Sequence, residues 1–246
     1  MGDNVPFRSV QLGVLGLSPA SPATLSWSGA GQPQPNETSP AAAVRRLFPT
    51  TPPDVGAPAD PPTSANFLDT LRAQLKVTEA AFTRDVTRIA TVQICKGTCG
   101  VTLPGTAPNP PSPFDPTGSR KEYHLLAHDA QYHDGLTLAQ LMFMKEIAAS
   151  VDRMAATPTA DSRTLLDHTL IVVMTDAGDP NAHTTTNLFT LLIGDLHGTV
   201  KPSVCAFEDR GHVDLLRTIA KLFGESPDAI GPASKGAGLL TSILAP

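Results

Sequence analysis

Residues 165–195, which read LLDHTLIVVMTDAGDPNAHTTTNLFTLLIGD, constrain the fold of this chain more than any other stretch. Two unbroken apolar runs, 169–174 and 188–193, each have the length of a fully buried strand in a parallel sheet. Between them lies a polar loop that carries Asp176 and His183. In an open α/β sheet, ligands bind in the crevice beyond the carboxyl ends of the strands. We therefore predict that this loop belongs to a functional site.

The rest of the chain alternates between apolar runs of strand length and amphipathic stretches of helix length. A helix that leads into a buried strand is the repeating unit of α/β folds. We therefore predict an α/β fold with a central, mostly parallel sheet flanked by helices, and with Pro-rich loops. The predicted strands are 10–17, 24–28, 89–94, 169–174 and 188–193. The predicted helices are 41–48 with Ser39 as its cap, a helix capped by Ser64, 136–156, and 211–223 with Gly224 as its stop. The residues of 136–156 that we predict to face inward are Leu138, Leu141, Met142, Ile147, Val151 and Met154.

The domain organisation follows from a proline cluster near the N-terminus. Residues 49–62 contain six prolines in fourteen residues, which excludes regular structure. We therefore predict an N-terminal strand and loop segment over 1–48, a Pro-rich linker over 49–62, and an α/β core over 63–246. A chain of 246 residues is long enough for one such core with an attached arm.

Charge and hydropathy exclude several classes of partner. The net charge of −5 provides no basic surface for nucleic acid. No stretch approaches the roughly 20 apolar residues that a membrane span needs. The N-terminal sequence MGDNVPFRSV lacks the basic and apolar segments of a signal peptide. We therefore expect neither a nucleic-acid partner nor a membrane span, and no secretion signal in the chain as it stands.

The polar loop and a histidine-rich segment, KEYHLLAHDAQYHDG, together offer candidate metal ligands. Histidines and carboxylates from separate loops commonly form hydrolytic zinc or manganese sites, in which one position stays open to water or substrate. The alternative is that Asp176 and Asn181 form Asx turns within their own loop and that the histidines are solvated. The candidate ligands are Asp176, His183, His124 and His128, with His133 and His212 as further options. His124 and His128 are four residues apart and would share a face if their segment is helical, but the flanking glycines allow a loop equally well.

Other reactive side chains give weaker signals. Cys95 and Cys99, in the sequence CKGTCG, could bridge a tight loop in an oxidising compartment or remain as two reduced thiols. There is no GxSxG nucleophile elbow, and no serine or cysteine has an evident base beside it in the sequence. A catalytic nucleophile is therefore unassigned.

Several blocks of the sequence resemble the bacterial family called domain of unknown function 1552. They are VPFRSVQLGV, LSWSGAGQPQPNETSP, RDVTRIATVQ, the histidine-rich segment, LLDHTLIVVMTDAGDPNAHTTTNLFTLLIG and GTVK, in the family's order. That family is similar to an exported group within the alkaline phosphatase and sulfatase-like superfamily. The resemblance implies an α/β sandwich with a central sheet, and an exported or periplasmic location for the full-length protein. It implies no established activity.

The chain also departs from the family's pattern. Family members are longer, with a portion ahead of the VPFRS block, and in the superfamily the nucleophile and part of the metal site come from early in the chain. The family tends to have a histidine pair where this chain has His128-Asp129, and a histidine followed by aspartate where it has Thr185-Thr186. The matching loop residues are Asp176, Asn181, His183 and Asn187.

Two functional hypotheses follow. The first is an alkaline-phosphatase-like domain of hydrolase type with unknown substrate, dependent on zinc or manganese and with weak or absent turnover. The second is a catalytically silent binding or structural subunit, completed by a protein partner or by a second copy of this chain, because an uncovered sheet edge invites association.

Overall fold

The computed structural model of the chain describes residues 5–14, 27–29, 32–58, 63–103, 122–128, 132–231 and 236–245. Residues 15–17 and 24–26 of the predicted strands, 59–62 of the predicted linker, and Asp129 lie outside them. The strands are β1 Val10–Gly13, β2 Trp27–Gly29, β3 Gln32–Pro33, β4 Ala90–Gln93, β5 Ile171–Met174 and β6 Thr190–Ile193. The α-helices are α1 Pro40–Leu47, α2 Phe67–Thr83, α3 His133–Ala156 and α4 His212–Leu222.

The fold is mixed α/β, and its strands are short. Among the described residues they form three two-stranded sheets, β1 with β4, β2 with β3, and β5 with β6. A single central sheet flanked by helices is not observed there. Internal contacts divide the chain into a larger unit, Gly2–Ala156 with Met174–Phe189, and a smaller unit, Thr157–Val173 with Thr190–Pro246. None of the helices in the described part is both long and apolar enough to cross a membrane.

The larger unit is built on the parallel pair β1 and β4. Both were predicted as strands, and they pair in register from Val10 with Ala90 to Gly13 with Gln93. On the other side of β1, the amide of Glu37 donates to the Gln11 carbonyl at 3.0 Å. All four residues of β1 are buried, because hydrogen-bonded segments lie along both of its edges and helices pack against it.

Helix α1 confirms the predicted capping by Ser39. The Ser39 hydroxyl accepts a hydrogen bond from the Ala42 amide at 3.1 Å, and Pro40 occupies the first helical position. Helix α2, in contrast, begins after Asn66. The prediction of Ser64 as its cap is wrong, because the Ser64 hydroxyl instead accepts from the amide of Thr102 at 3.2 Å.

Helix α3 covers α2 and brings two arginine–carboxylate pairs to their interface. Arg153 donates two hydrogen bonds to Glu79, at 2.7 and 2.9 Å, and Arg72 donates two to Glu146, at 2.6 and 2.9 Å. Such bidentate pairs fix both distance and orientation. The buried face of α3 consists of Ala139, Phe143, Ile147, Ser150 and Met154.

The buried face of α3 corrects one part of the sequence analysis. Leu141 was expected to face inward, but it is 47% exposed. The face that runs through Ala139 and Phe143 leaves Leu141, two residues and about 200° from Ala139, on the opposite side of the helix. Leu138, Met142 and Val151, also predicted to face inward, are half-buried.

In the smaller unit, β5 and β6 differ from the predicted buried parallel strands. At one end of the pair the Thr175 amide donates to the Phe189 carbonyl at 3.3 Å. At the other end Gly194 lies so close to the Thr169 carbonyl that a Cβ would come within 2.1 Å of its oxygen. These contacts require β5 and β6 to run antiparallel, so the prediction of parallel strands is wrong here.

The burial of β5 and β6 is also lower than predicted. Their residues are half-buried, apart from the exposed Met174. Val172 and Leu192 pack against Leu215 of α4 and against the C-terminal residues Leu240 and Ile243. This cluster covers one face of the two strands. The continuous apolar runs had predicted that both faces would be covered.

A buried carboxylate fixes the chain that follows α4. Asp214 is 1% exposed, and its oxygens accept hydrogen bonds from Arg210 at 2.8 Å and from the amides of Ala237 and Gly238 at 2.8 and 3.0 Å. Burial alone would raise the pKa of Asp214, but the hydrogen bonds from Arg210 and from Gly238 outweigh it, and the pKa is lowered. The ionised form is therefore the one that the fold stabilises.

We expect this carboxylate to make the stability of the fold pH-dependent. Because its pKa is lower in the folded state, the stabilisation is complete above the unfolded value of 3.8 and is lost as the pH falls through the folded value. Asp214→Asn should lower the free energy of unfolding at pH 7 by about 1–3 kcal/mol, and should flatten its pH dependence below about pH 4. Thermal melts between pH 7 and pH 3 measure both effects. The exposed Asp228→Asn is the control; equal profiles for the two variants would contradict the prediction.

Candidate functional site

The predicted site loop is held in shape by its own backbone. The Gly178 amide donates to the Thr184 carbonyl at 3.0 Å, and the Thr184 amide donates to the Asp179 carbonyl at 3.1 Å. The Asp179 carboxylate accepts from the amides of Asn181 and Ala182 at 2.9 and 3.0 Å, which is an Asx turn. This turn is made by Asp179, whereas the sequence analysis had considered Asp176 and Asn181 for that role.

Two further features set the path of this loop. Gly178 lies against the next segment so closely that a Cβ would come within 1.7 Å of the Thr186 carbonyl oxygen. His183 and Asn187 have positive φ angles of 53° and 55°, a region that side chains other than glycine rarely adopt. Strained backbone of this kind is concentrated at functional sites. The backbone conformation of the loop is therefore constrained at Gly178, His183 and Asn187, and this conformation sets the position of the His183 ring.

The other two histidines are positioned by one turn of 3₁₀-helix. Residues Leu125–Ala127 form this turn, and His124 and His128 flank it, so that both rings lie on the same side. The His124 amide donates to the Cys99 carbonyl at 3.1 Å, which ties the turn to the loop after β4. The spacing of four residues predicted a shared face if the segment was helical, and this is the arrangement observed.

His124, His128 and His183, here called the histidine cluster, come together within the larger unit. The Nε2 atoms of His124 and His128 are 3.2 Å apart. Their ring centroids are 4.7 Å apart, and the His183 centroid lies 5.1 Å from that of His128 and 6.5 Å from that of His124. His124 and His128 are half-buried and His183 is exposed, so the cluster opens to solvent on the His183 side.

These distances resemble those of imidazoles around one ion. Two nitrogens that each lie about 2.0–2.1 Å from a tetrahedral zinc are about 3.3 Å apart, and the ring centroids are then roughly 5 Å apart. Within the described residues, however, no three His, Cys, Asp or Glu side chains already converge as ligands of one ion. The pair His124 and His128 has ligand spacing, and the His183 ring lies beside it, with its centroid 5.1 Å from that of His128.

The remaining candidates do not take part in the ring contacts that define the cluster. Asp176 is exposed at the start of the loop, and its negative charge contributes to raising the pKa of Tyr123. His133 is exposed in the first turn of α3, and none of the ring contacts of the described residues includes it. His212 begins α4 in the smaller unit. Of the four residues predicted as ligands, the structure thus joins the three histidines.

Tyr123 is a neighbour that the sequence analysis missed. Burial and, next, the charge of Cys95 raise the pKa of Tyr123 to about 12. A hydrogen bond with Gln140 lowers this pKa but does not offset the increase. Its ring contacts Phe143 edge-on at 5.4 Å. The phenol therefore stays neutral at physiological pH beside the histidine turn. Its position directly before His124 was the only signal in the sequence.

A second histidine pair, unnoticed in the sequence, lies in the smaller unit. The Arg163 guanidinium contacts Nδ1 of His197, which must accept because a guanidinium only donates. Nε2 of His197 then donates to Nδ1 of His168 at 3.1 Å, and Nε2 of His168 donates to Asp161 at 3.2 Å. Each ring nitrogen of His168 and His197 therefore already has a hydrogen-bond partner. The pair is therefore best described as a surface hydrogen-bond chain.

The comparisons with known proteins give no relative. No family model, no curated protein and no solved structure matches this chain. The expected relationship to the domain of unknown function 1552 and to alkaline phosphatases therefore stays a prediction.

Proposed function

We propose that this chain binds one divalent transition metal through His124, His128 and His183. The observation that carries the proposal is the 3.2 Å separation of the His124 and His128 Nε2 atoms, with the His183 ring beside them. Three imidazoles with solvent access match catalytic zinc sites, in which three protein ligands leave one position open. Of the two metals considered, zinc suits imidazole nitrogens, whereas manganese prefers carboxylate and water oxygens.

The reaction type that we propose is ester hydrolysis, in a domain of the alkaline phosphatase type. A bound zinc would supply Lewis-acid activation of water or of an ester oxygen. The chain's own residues would orient the ion: His124 and His128 from a rigid turn, and His183 from the exposed loop that a substrate can reach. Asp176, which is exposed on the same loop, is the nearby carboxylate that we propose as a further ligand for the ion or as an acceptor for its water.

We expect turnover to be weak or absent. Among the described residues, no serine, threonine or cysteine side chain is hydrogen-bonded to the three clustered rings. A nucleophile with a base in reach is the usual requirement for covalent ester hydrolysis. Metal binding can therefore be tested without assuming that the chain is an active enzyme.

Metal binding by the histidine cluster is tested by titrating the chelator-treated protein with zinc. We expect one equivalent to bind, and His128→Ala or His183→Ala to weaken binding at least about 100-fold, since even the outer partners of metal ligands are worth 10–100-fold. His133→Ala, an exposed histidine outside the cluster, is the matched control and should bind as the wild type does. Equal zinc affinity in all variants would refute the proposal.

The second candidate is a silent subunit that binds a protein partner or another copy of this chain. It is supported by residues 201–209, all exposed, among which Val204 is fully exposed and Phe207 is 36% exposed. Apolar side chains displayed on an extended segment favour association. Light scattering on the eluting protein tests it: a stable dimer or larger assembly is expected, and a monomer at all concentrations would exclude self-association.

A further inference from the structure

We propose that Cys95 and Cys99 form a site of thiol–disulfide exchange that low-molecular-weight disulfides oxidise to an internal disulfide. The two sulfur atoms lie 2.7 Å apart, and both cysteines are free. They would have to approach by less than about 1 Å to bond. This inference is independent of the proposed metal site, because the exchange uses neither the histidine rings nor an ion.

The two thiols differ in their exposure to solvent. Cys99 is 3% exposed and belongs to the apolar cluster with Val101 and Phe143, whereas Cys95 is half-buried at the end of β4. An external disulfide can therefore reach Cys95 more readily than Cys99. Cys205, in contrast, is exposed in the smaller unit and has no second cysteine within the same short loop.

The geometry favours Cys99 as the thiol that resolves the exchange. Its sulfur is buried and lies 2.7 Å from the Cys95 sulfur, so it is already in reach of a mixed disulfide formed at Cys95. The hydrogen bond to Cys99 and, next, burial raise the pKa of Cys95, so we expect loss of the Cys95 proton to limit the rate of the first step.

The exchange balances in two steps. Cys95, after losing its proton, attacks one sulfur of the external disulfide; that S–S bond breaks, and the released thiolate takes up the proton. Cys99 then attacks Cys95 in the mixed disulfide, and the second small thiol leaves with the Cys99 proton. The protein loses two electrons and two protons, and the external disulfide is reduced to two thiols.

The bond would close a loop that supports the histidine turn. The Cys99 carbonyl accepts the His124 amide, and the Val101 carbonyl accepts the Tyr123 amide at 2.7 Å. Closing 95–99 restricts the backbone that offers the Cys99 carbonyl, whereas Val101 lies two residues beyond the closed loop. We therefore expect slower hydrogen exchange at the His124 amide in the oxidised protein, by about threefold or more.

The test incubates the full chain with oxidised glutathione, blocks free thiols by alkylation, and maps the peptides by mass spectrometry. The expected result is a Cys95–Cys99 disulfide without glutathione attached, while Cys205 is glutathionylated or alkylated. Cys99→Ser should trap glutathione on Cys95, because nothing remains to displace it. Cys205→Ser is the matched control and should still form the internal bond.

Two results would overturn the proposal. One is full alkylation of Cys95 and Cys99 after incubation in a glutathione buffer that glutathionylates Cys205. The other is a stable glutathione adduct at Cys95 in the wild type, at the level seen in Cys99→Ser. Circular dichroism of each variant before oxidation confirms that it is folded, so that a failed exchange can be attributed to the thiols.

Discussion

Replacing Phe67 with alanine is expected to lower the free energy of unfolding by about 3–5 kcal/mol. Phe67 is fully buried at the start of α2, and its ring lies 5.6 Å from that of Phe143 on α3. It belongs to the same apolar cluster as Leu71 and Val101, so its removal leaves a cavity between two helices and the chain after β4. Because small domains are stable by only about 5–15 kcal/mol, this one change would remove a large share.

Urea denaturation followed by circular dichroism measures the effect of Phe67→Ala. The matched control is Phe189→Ala, which deletes the same ring from a position that is 54% exposed. The control should change the free energy of unfolding by less than about 1 kcal/mol. Similar losses for the two variants would show that the cluster around Phe67 is not the core of the larger unit.

The variant Gly178→Ala is expected to displace the site loop while the rest of the fold is retained. Its Cβ would lie 1.7 Å from the Thr186 carbonyl oxygen, which is backbone and cannot rotate away. Relieving the overlap separates Gly178 from Thr186 and breaks the hydrogen bond to the Thr184 carbonyl. Overpacking of this kind costs about 1–3 kcal/mol. His183, five residues further on, would lose its position beside the other rings.

Two measurements test the effect of Gly178→Ala. The amide chemical shifts of residues 178–187 should change without added metal, and zinc affinity should fall about 30-fold, which corresponds to about 2 kcal/mol. Gly97→Ala is the control, since a Cβ there meets nothing within 4 Å. Unchanged shifts in the loop would contradict the structural prediction. Changed shifts with full zinc affinity would instead contradict the role of His183 as a ligand.

Local signals in the sequence predicted much of the secondary structure. The Ser39-Pro40 cap, the apolar run that became β1, the β-branched run that became β4, and the glycine stop at Gly224 depend on neighbouring residues only. Strand pairing depends on the whole chain, and the prediction of parallel pairing is confirmed for β1 and β4 but is wrong for β5 and β6. The apolar runs around 171–174 and 190–193 are compatible with either direction of pairing, so the sequence alone could not exclude the antiparallel arrangement.

The candidate site divides in the same way. The spacing of His124 and His128 predicted their shared side, because four residues make about one helical turn. That His183 would join them could not be derived from spacing, because it depends on the path of the intervening chain. The close approach of Gly178 to Thr186 and the positive φ of His183 could not be predicted either, because a glycine or a histidine in a single sequence does not reveal such a conformation.

The distance along the chain between the clustered histidines has a consequence for folding. His124 and His183 are 59 positions apart in the sequence, yet their rings are neighbours. An ion held by both would act as a cross-link, and closing a loop of that length removes about 4 kcal/mol of conformational freedom from the unfolded chain in the entropic description used for disulfides. Removing the metal with a chelator would then lower the free energy of unfolding of the fold, in addition to emptying the site.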